Sequence, residues 1–319
     1  MQGLMAVYRK ELADHFSSYR FVILFALIAM VSFITSYMAG INLKESLEGV
    51  AKPKFVFLML FNKTGALFSM VQFVAFFGPL IGLVLGFDAI NRERAYGTLI
   101  KVVSQPIYRD AVINGKFLAG VTTITTMLIA IVLVIAGFGL TLLGVVPGAE
   151  EIWRLILYVI LSIIYISLWM GLSILFSIFF RSIATSALAS VALWIFLSFF
   201  VSLGANVLAN MVHPVDQKGN TSTETVIDNA RFKESVSLFS PMVLYQNASA
   251  TIIDPTRNTS SALVLMGPLE ELSASRFQNP LSLGQSIIVV YPHIVALLAI
   301  TLICFAISYL VFMIQEIRT

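Results

Sequence analysis

The sequence is poor in cysteine, histidine and charge. Its one cysteine, Cys304, lies inside an apolar run, so neither a disulfide framework nor a cysteine metal site can form within a single chain. The three histidines, His15, His213 and His293, are scattered, which argues against a histidine cluster. Charged residues are 12% of the chain and apolar ones 58%, against about 25% and about 45–50% in globular domains. That composition excludes a soluble globular domain. The apolar residues come in long blocks, and such blocks read as bilayer-spanning helices of about 20 residues each.

Six spans are expected, at about 21–40, 66–87, 117–146, 153–180, 183–211 and 287–314. Before the first, Leu4, Tyr8, Leu12 and Phe16 recur at helical spacing with Arg9, Lys10 and Asp14 between them, which predicts an amphipathic helix lying on the membrane face. Residues 55–61 are apolar but too short to cross. Gly78-Pro79 predicts a kink in the second span. Arg181-Ser182 is a very tight connection. The only sizeable stretch expected outside lipid is 212–286, a long outer loop before the last span. Within it, residues 237–253 carry no charge, which predicts a small helical cap that packs on the mouth of the bundle or dips into the outer leaflet.

The span centres contain no Asp, Glu, Lys or Arg. A charge at the bilayer centre usually marks an ion or proton path, so an ion-coupled carrier is disfavoured. Gly115-Lys116 is not a phosphate loop, because Asp110 stands where a second glycine is needed and Phe117 where a hydroxyl must meet magnesium. His15 and His293 have no carboxylate or cysteine at catalytic spacing, and His293, beside Pro292, reads as a polar residue near the interface. No metal site, no cofactor of its own and no nucleic-acid partner are expected.

Six spans put both termini on one side, together with 88–116 and Arg181. That side carries ten basic residues, including Arg20, Arg92, Arg94, Lys101 and Arg109. The other side also carries ten, but five of them, Lys218, Arg231, Lys233, Arg257 and Arg276, lie in the long loop. Long loops count little in setting orientation, so the terminal side is predicted to be cytoplasmic. The Asn-x-Ser/Thr triplets at Asn62, Asn220, Asn247 and Asn258 all start on the opposite side, which agrees with it weakly.

The segment between spans two and three reads FDAINRERAYGTLIKVVSQPIYRDAVINGKFLAG. It begins as a continuation of span two, where Asp88, Arg92, Glu93 and Arg94 break from the lipid. Gly97 permits a bend, Thr98 can cap a short helix from Leu99 to Val103, and Pro106 ends it. Leu99, Val102 and Val103 give that helix an apolar face, suited to a groove on a soluble partner. The same residues also fit an ordinary positive-inside loop.

This segment resembles the ABC-2-type transporter permeases, the membrane subunits of ABC exporters. The pattern is met at Asp88, Glu93-Arg94, Gly97-Thr98-Leu99, Ser104, Pro106-Ile107, Arg109 and Gly115-Lys116. The opening YRKELADHFSSYRF, the stretch SLFSPMVLYQ at 237–246 and the closing SYLVFMIQEIRT are similar to family members as well. The resemblance implies a permease in the cell membrane, pairing with a second permease copy or homologue and seated on two cytoplasmic ATPase subunits. ATP and magnesium would belong to those ATPases and not to this chain. It implies that 88–109 holds the coupling helix, with Thr98, Leu99 and Val102 docking and Gly97 allowing the bend. Glu93 and Arg94 would contact the ATPase or orient the segment, and Arg181 would be a second, smaller contact. As part of an exposed ion pair, worth about 0–1 kcal/mol, Glu93 is expected to matter less than Leu99.

Two other readings stand beside this one: a membrane sensor or assembly scaffold that binds a ligand through the outer loop, and a membrane-embedded enzyme. The neighbouring reading frame, or co-purification with an ATPase, discriminates among them. An uncharged, aromatic-rich bundle suits an amphipathic or lipid-like substrate.

Overall fold

Each long apolar block becomes one long helix. The computed structural model describes residues 2–47, 55–62, 69–98, 108–215, 223–255 and 280–315, and all regular structure among them is helical. The helices are α1 (Gln2–Ser17), α2 (Tyr19–Leu47), α3 (Val56–Asn62), α4 (Met70–Gly86), α5 (Asn91–Ala95), α6 (Arg109–Leu143), α7 (Ala149–Phe179), α8 (Ile183–Ile195), α9 (Val201–Val212), α10 (Thr223–Ser237), α11 (Pro241–Ile253) and α12 (Leu283–Ile314). A π-helical turn, Phe196–Phe200, joins α8 to α9 without interrupting the span. Six helical stretches are long and apolar enough to cross a membrane, as expected of a multi-pass membrane protein.

The axis of the bundle is α7. It packs against α4, α6, α8, α11 and α12, and it buries Tyr158, Tyr165 and Trp169 completely. At 1.5 Å per residue it is about 46 Å long, enough to separate two distinct ends. Gly82 and Gly86 let α4 lie directly on it: a Cβ at either would sit 2.5 Å from the Ile166 carbonyl or 2.7 Å from that of Met170. Small residues one turn apart let backbones approach in this way, and the gain is packing contact. Pro79 lies inside α4, which runs on through it to Gly86. Proline has no N–H to give the carbonyl four residues back, and that carbonyl, of Ala75, accepts instead from the Tyr165 hydroxyl at 2.7 Å. Ser69 starts α4 with a capping box: its hydroxyl accepts from Gln72 N, and Gln72 Oε1 accepts from Ser69 N.

The segment after span five departs from a simple outer loop. Pro241–Ile253 is a helix buried along nearly its whole length, packed on α4, α7 and α12. The Tyr245 ring stacks on Tyr165 at 4.3 Å, and its hydroxyl pairs with Ser162 Oγ at 2.8 Å. Ser162 lies about 20 Å along α7 from its start, so α11 enters the bundle and does not merely cap its mouth. Burial inside protein is what makes such a re-entrant helix tolerable at membrane depth. Asn247 is 1% exposed, which removes one of the four glycosylation triplets from consideration.

Where α7 begins, a buried cation organises the chain. Arg154 is fully buried. It donates to the carbonyls of Ile252 and Leu281, to Ser286 Oγ and to Glu150 Oε1, at 2.7–3.1 Å, and lies over the Phe55 ring. Its neighbour Glu151 accepts from the amides of Gly148 and Phe57, at 2.8 and 3.1 Å. These two side chains tie α3, α11 and the start of α12 to the axis.

The first helix also differs in detail. Gln2–Ser17 is helical, but its buried positions are Val7 and Glu11, while Phe16 is exposed. It packs along α6, with Tyr8 Oη donating to Thr122 Oγ1 at 3.1 Å. The third span starts earlier than its apolar run: α6 begins at Arg109, about two turns ahead of Phe117.

Candidate functional site

At the other end of α7, the segment that follows span two is fastened to the bundle residue by residue. After Gly86 the chain turns through 87–90 into the short helix α5. A helix start leaves amides without partners. Here the Ser177 hydroxyl, from the last turn of α7, accepts from Ile90 N at 3.0 Å and Asn91 N at 3.1 Å. Asn91, fully buried, donates to the Ser182 carbonyl at 3.4 Å, where Ser182 caps α8. One short helix is thereby tied to both α7 and the α7–α8 turn.

Glu93 is where the structure corrects the sequence reading. It is 7% exposed, because α5 presents it inward. Lys116 Nζ, equally buried, donates to Glu93 Oε1 at 3.0 Å and to Glu11 Oε1 at 2.8 Å. Lys10 Nζ, half exposed, reaches the same two oxygens at 3.0 Å each. Beside this knot, Asp88 Oδ2 is 2.8 Å from Arg20 Nη1 and 3.7 Å from Arg92 Nη1. Lys116, Glu11 and Glu93 together bind α1, α5 and α6. Glu93 therefore orients the segment, and its loss is not the mild loss of an exposed pair: removing one member of a buried ion pair costs about 3–5 kcal/mol.

The electrostatics follow the geometry. Burial works to raise the Glu11 pKa, but Lys116 and then Lys10 outweigh it and hold the carboxyl at about 2. Burial likewise opposes the charge on Lys10, and Glu11 and Glu93 overcome it, so its pKa lies above the usual lysine value. His15 is lowered, mainly by burial, with Glu11 opposing and Lys116 reinforcing. A cavity of about 40 Å³ lies among Glu11, His15, Arg20, Asp88, Arg92 and Lys116, room for a few waters. Among the described residues no group of His, Cys, Asp and Glu could hold a metal ion.

The other sequence-predicted residues lie on the outer side of this knot. Arg94 Nη2 donates to Gln315 Oε1 at 2.9 Å, and Arg109 Nη1 to the Gln315 carbonyl at 3.1 Å, so the last span ends against the segment. Gly97 has φ +66° with open space around it, a conformation that favours glycine. Thr98 is exposed, and its hydroxyl donates back to the Glu93 carbonyl at 3.2 Å. Leu99 and Val102 lie outside the described residues. Arg181 is exposed in the α7–α8 turn. The sequence reading missed Glu11, Lys10, Lys116 and Ser177 as functional residues. The first three stood within recognised stretches, Lys10-Glu11-Leu12 and Gly115-Lys116; nothing local marked Ser177.

The geometry is that of a helical bundle with a short polar segment fastened at one end by buried hydrogen bonds and ion pairs, and the comparisons with known proteins agree with it. One relative, the probable ABC transporter permease protein NosY of Pseudomonas aeruginosa, is 35% identical over 85 residues, covering 26% of this chain and 29% of that protein. The chain thus spans less than a third of that relative. The profile described as ABC-2 family transporter protein matches residues 5–317. By that match over nearly its whole length, the chain belongs to the ABC-2 family of transporter proteins, the membrane components of ABC transporters.

Proposed function

We propose that this chain is the permease subunit of an ATP-driven exporter, with both termini and the 88–116 segment in the cytoplasm. Two permease copies, or this one and a homologue, sit on two cytoplasmic ATPase subunits that bind ATP and magnesium. The observation that carries this reading is the attachment of α5 to α7 through Ser177, and to α1 and α6 through Glu93, Lys116 and Glu11. A segment pushed by a partner moves the bundle only if it is fixed to it. The docking residues are those the sequence pattern offers, Leu99, Val102 and Val103, following Thr98. ATPase closure displaces the docked segment, α5 transmits the displacement to α7, and the bundle changes which side its path faces. Such coupling requires different contacts in the two states and not mere proximity.

The test is capture of the ATPase subunit, with ATP turnover, in nanodiscs. Leu99→Glu places a charge that must be desolvated on docking and should abolish capture while the permease still inserts and folds. Wild-type capture and coupling in that variant would make the segment an ordinary cytoplasmic loop.

A further inference from the structure

Near the charge knot lie three arginines of a different kind. Lys10, Arg20, Arg92 and Lys116 each face a carboxylate. Arg94, Arg109 and Arg181 do not: among the described residues none of them has an acidic side chain at ion-pair distance. They are nevertheless gathered. Arg94 and Arg109 share Gln315 as a hydrogen-bond partner; Gln315 Nε2 in turn donates to the Ile178 carbonyl, three residues before Arg181, at 3.4 Å, and Asn91, on the short helix that carries Arg94, donates to the Ser182 carbonyl beside Arg181. Three like charges held together by the fold call for an anion.

The surroundings say which kind. Each arginine is at the end of a membrane helix: Arg94 follows α4, Arg109 opens α6, Arg181 follows α7, and Gln315 closes α12. Next to them stand large apolar side chains without cover, Phe179 at 54% exposed, Ile314 at 79% and Tyr108 at 84%. Cations beside bare apolar and aromatic surface at a span end match an amphiphile, with its phosphate on the guanidinium groups and its chains along the helices. Guanidinium is suited to phosphate because its planar fork donates two hydrogen bonds at once. An acidic face of a soluble protein would satisfy the charges but not the exposed Phe179 and Ile314.

We propose that Arg94, Arg109 and Arg181 form a binding site for the phosphate headgroup of an anionic phospholipid at this end of the bundle. The site does not depend on the docking assignment, and lipid retention is read without the ATPase. The purified permease would be reconstituted in nanodiscs of phosphatidylcholine with graded phosphatidylglycerol, and retained phosphatidylglycerol counted by native mass spectrometry. Arg181→Gln, which removes no hydrogen bond among the described residues, should lower retention about fivefold, and the Arg94→Gln/Arg181→Gln pair by roughly the square of that, from about 1 kcal/mol per surface arginine. Inorganic phosphate at millimolar concentration should neither displace the lipid nor raise the melting temperature. Unchanged lipid retention in the double variant would overturn the proposal. Displacement by free phosphate would reduce it to a simple anion site. Unaltered retention with lost ATPase capture would assign the arginines to a protein partner instead.

Discussion

The two ends of α7 hold buried cations in opposite ways. At its start, Arg154 is satisfied by two fixed backbone carbonyls, the Ser286 hydroxyl and one partly exposed carboxylate, Glu150. At its finish, Lys116 is satisfied by two buried carboxylates from separate helices. The first arrangement ties down loops and helix ends and leaves little that can be rearranged. The second joins three elements through side chains alone, and side-chain pairs can change partners when one element moves. The structure thus has a rigid end and an end built from contacts that can be exchanged, and the short helix α5 is at the latter.

The largest expected effect is at the exchangeable end. Lys116→Met leaves Glu11 and Glu93 without their buried cation and with only the half-exposed Lys10 at 3.0 Å, and should destabilise by up to about 3–5 kcal/mol, read as a fall in melting temperature in detergent. A Glu11→Gln/Glu93→Gln/Lys116→Met variant should recover most of the loss, because no uncompensated buried charge remains. A triple variant as unstable as the single one would mean that packing and not charge holds the knot.

Next comes Arg154→Met, which strips donors from the Ile252 and Leu281 carbonyls. Each buried polar group left unpaired costs about 1–3 kcal/mol. Arg154→Lys should rescue little, since an ammonium cannot reach the same spread of acceptors. A cysteine at Ile252, 1% exposed in the native fold, should become reactive to a maleimide only in the Arg154→Met background, with Cys304→Ala throughout. Equal labelling in both backgrounds would break the contrast between the ends.

The pH dependence is smaller, and its two largest charge-paired shifts sit at the knot. The Glu11 pKa is depressed in the fold, so its contribution is complete above the ordinary value of 4.5 and is lost as pH falls toward about 2. Lys10 is raised, so its contribution is present below its ordinary value of 10.5 and is lost as pH climbs past it. Melting temperature against pH should show an acid limb that Glu11→Gln flattens. Smallest of all is Tyr245→Phe, which removes one neutral hydrogen bond to Ser162, worth about 1 kcal/mol, and should leave the re-entrant helix in place.

These contrasts also show what could be read in advance. The spans were legible because a run of apolar residues long enough to cross lipid has few other uses. The tight Arg181-Ser182 turn was legible for the same reason, as the only break between two such runs. Glu93 was misjudged because burial of a charge is set by partners far along the chain: Lys116 is 23 residues away and Glu11 82, and local pattern does not carry such pairings. Pro241–Ile253 was expected to be helical, but its depth was not legible, since its Ser, Asn and Tyr residues show no place inside a bundle until Ser162 and Tyr165 are seen to receive them. The earlier start of α6 follows from Lys116, which reads as a flank of the apolar run but is buried inside the helix.

On the proposed function, the Glu93–Lys116–Glu11 knot transmits motion from the 88–109 segment to the bundle. The most direct test is transport-linked stimulation of ATP hydrolysis by the assembled complex, measured with the charge-free Glu11→Gln/Glu93→Gln/Lys116→Met permease. The expected result is a complex that assembles and hydrolyses ATP at its basal rate but no longer accelerates when substrate is transported. Wild-type stimulation in that complex would contradict it.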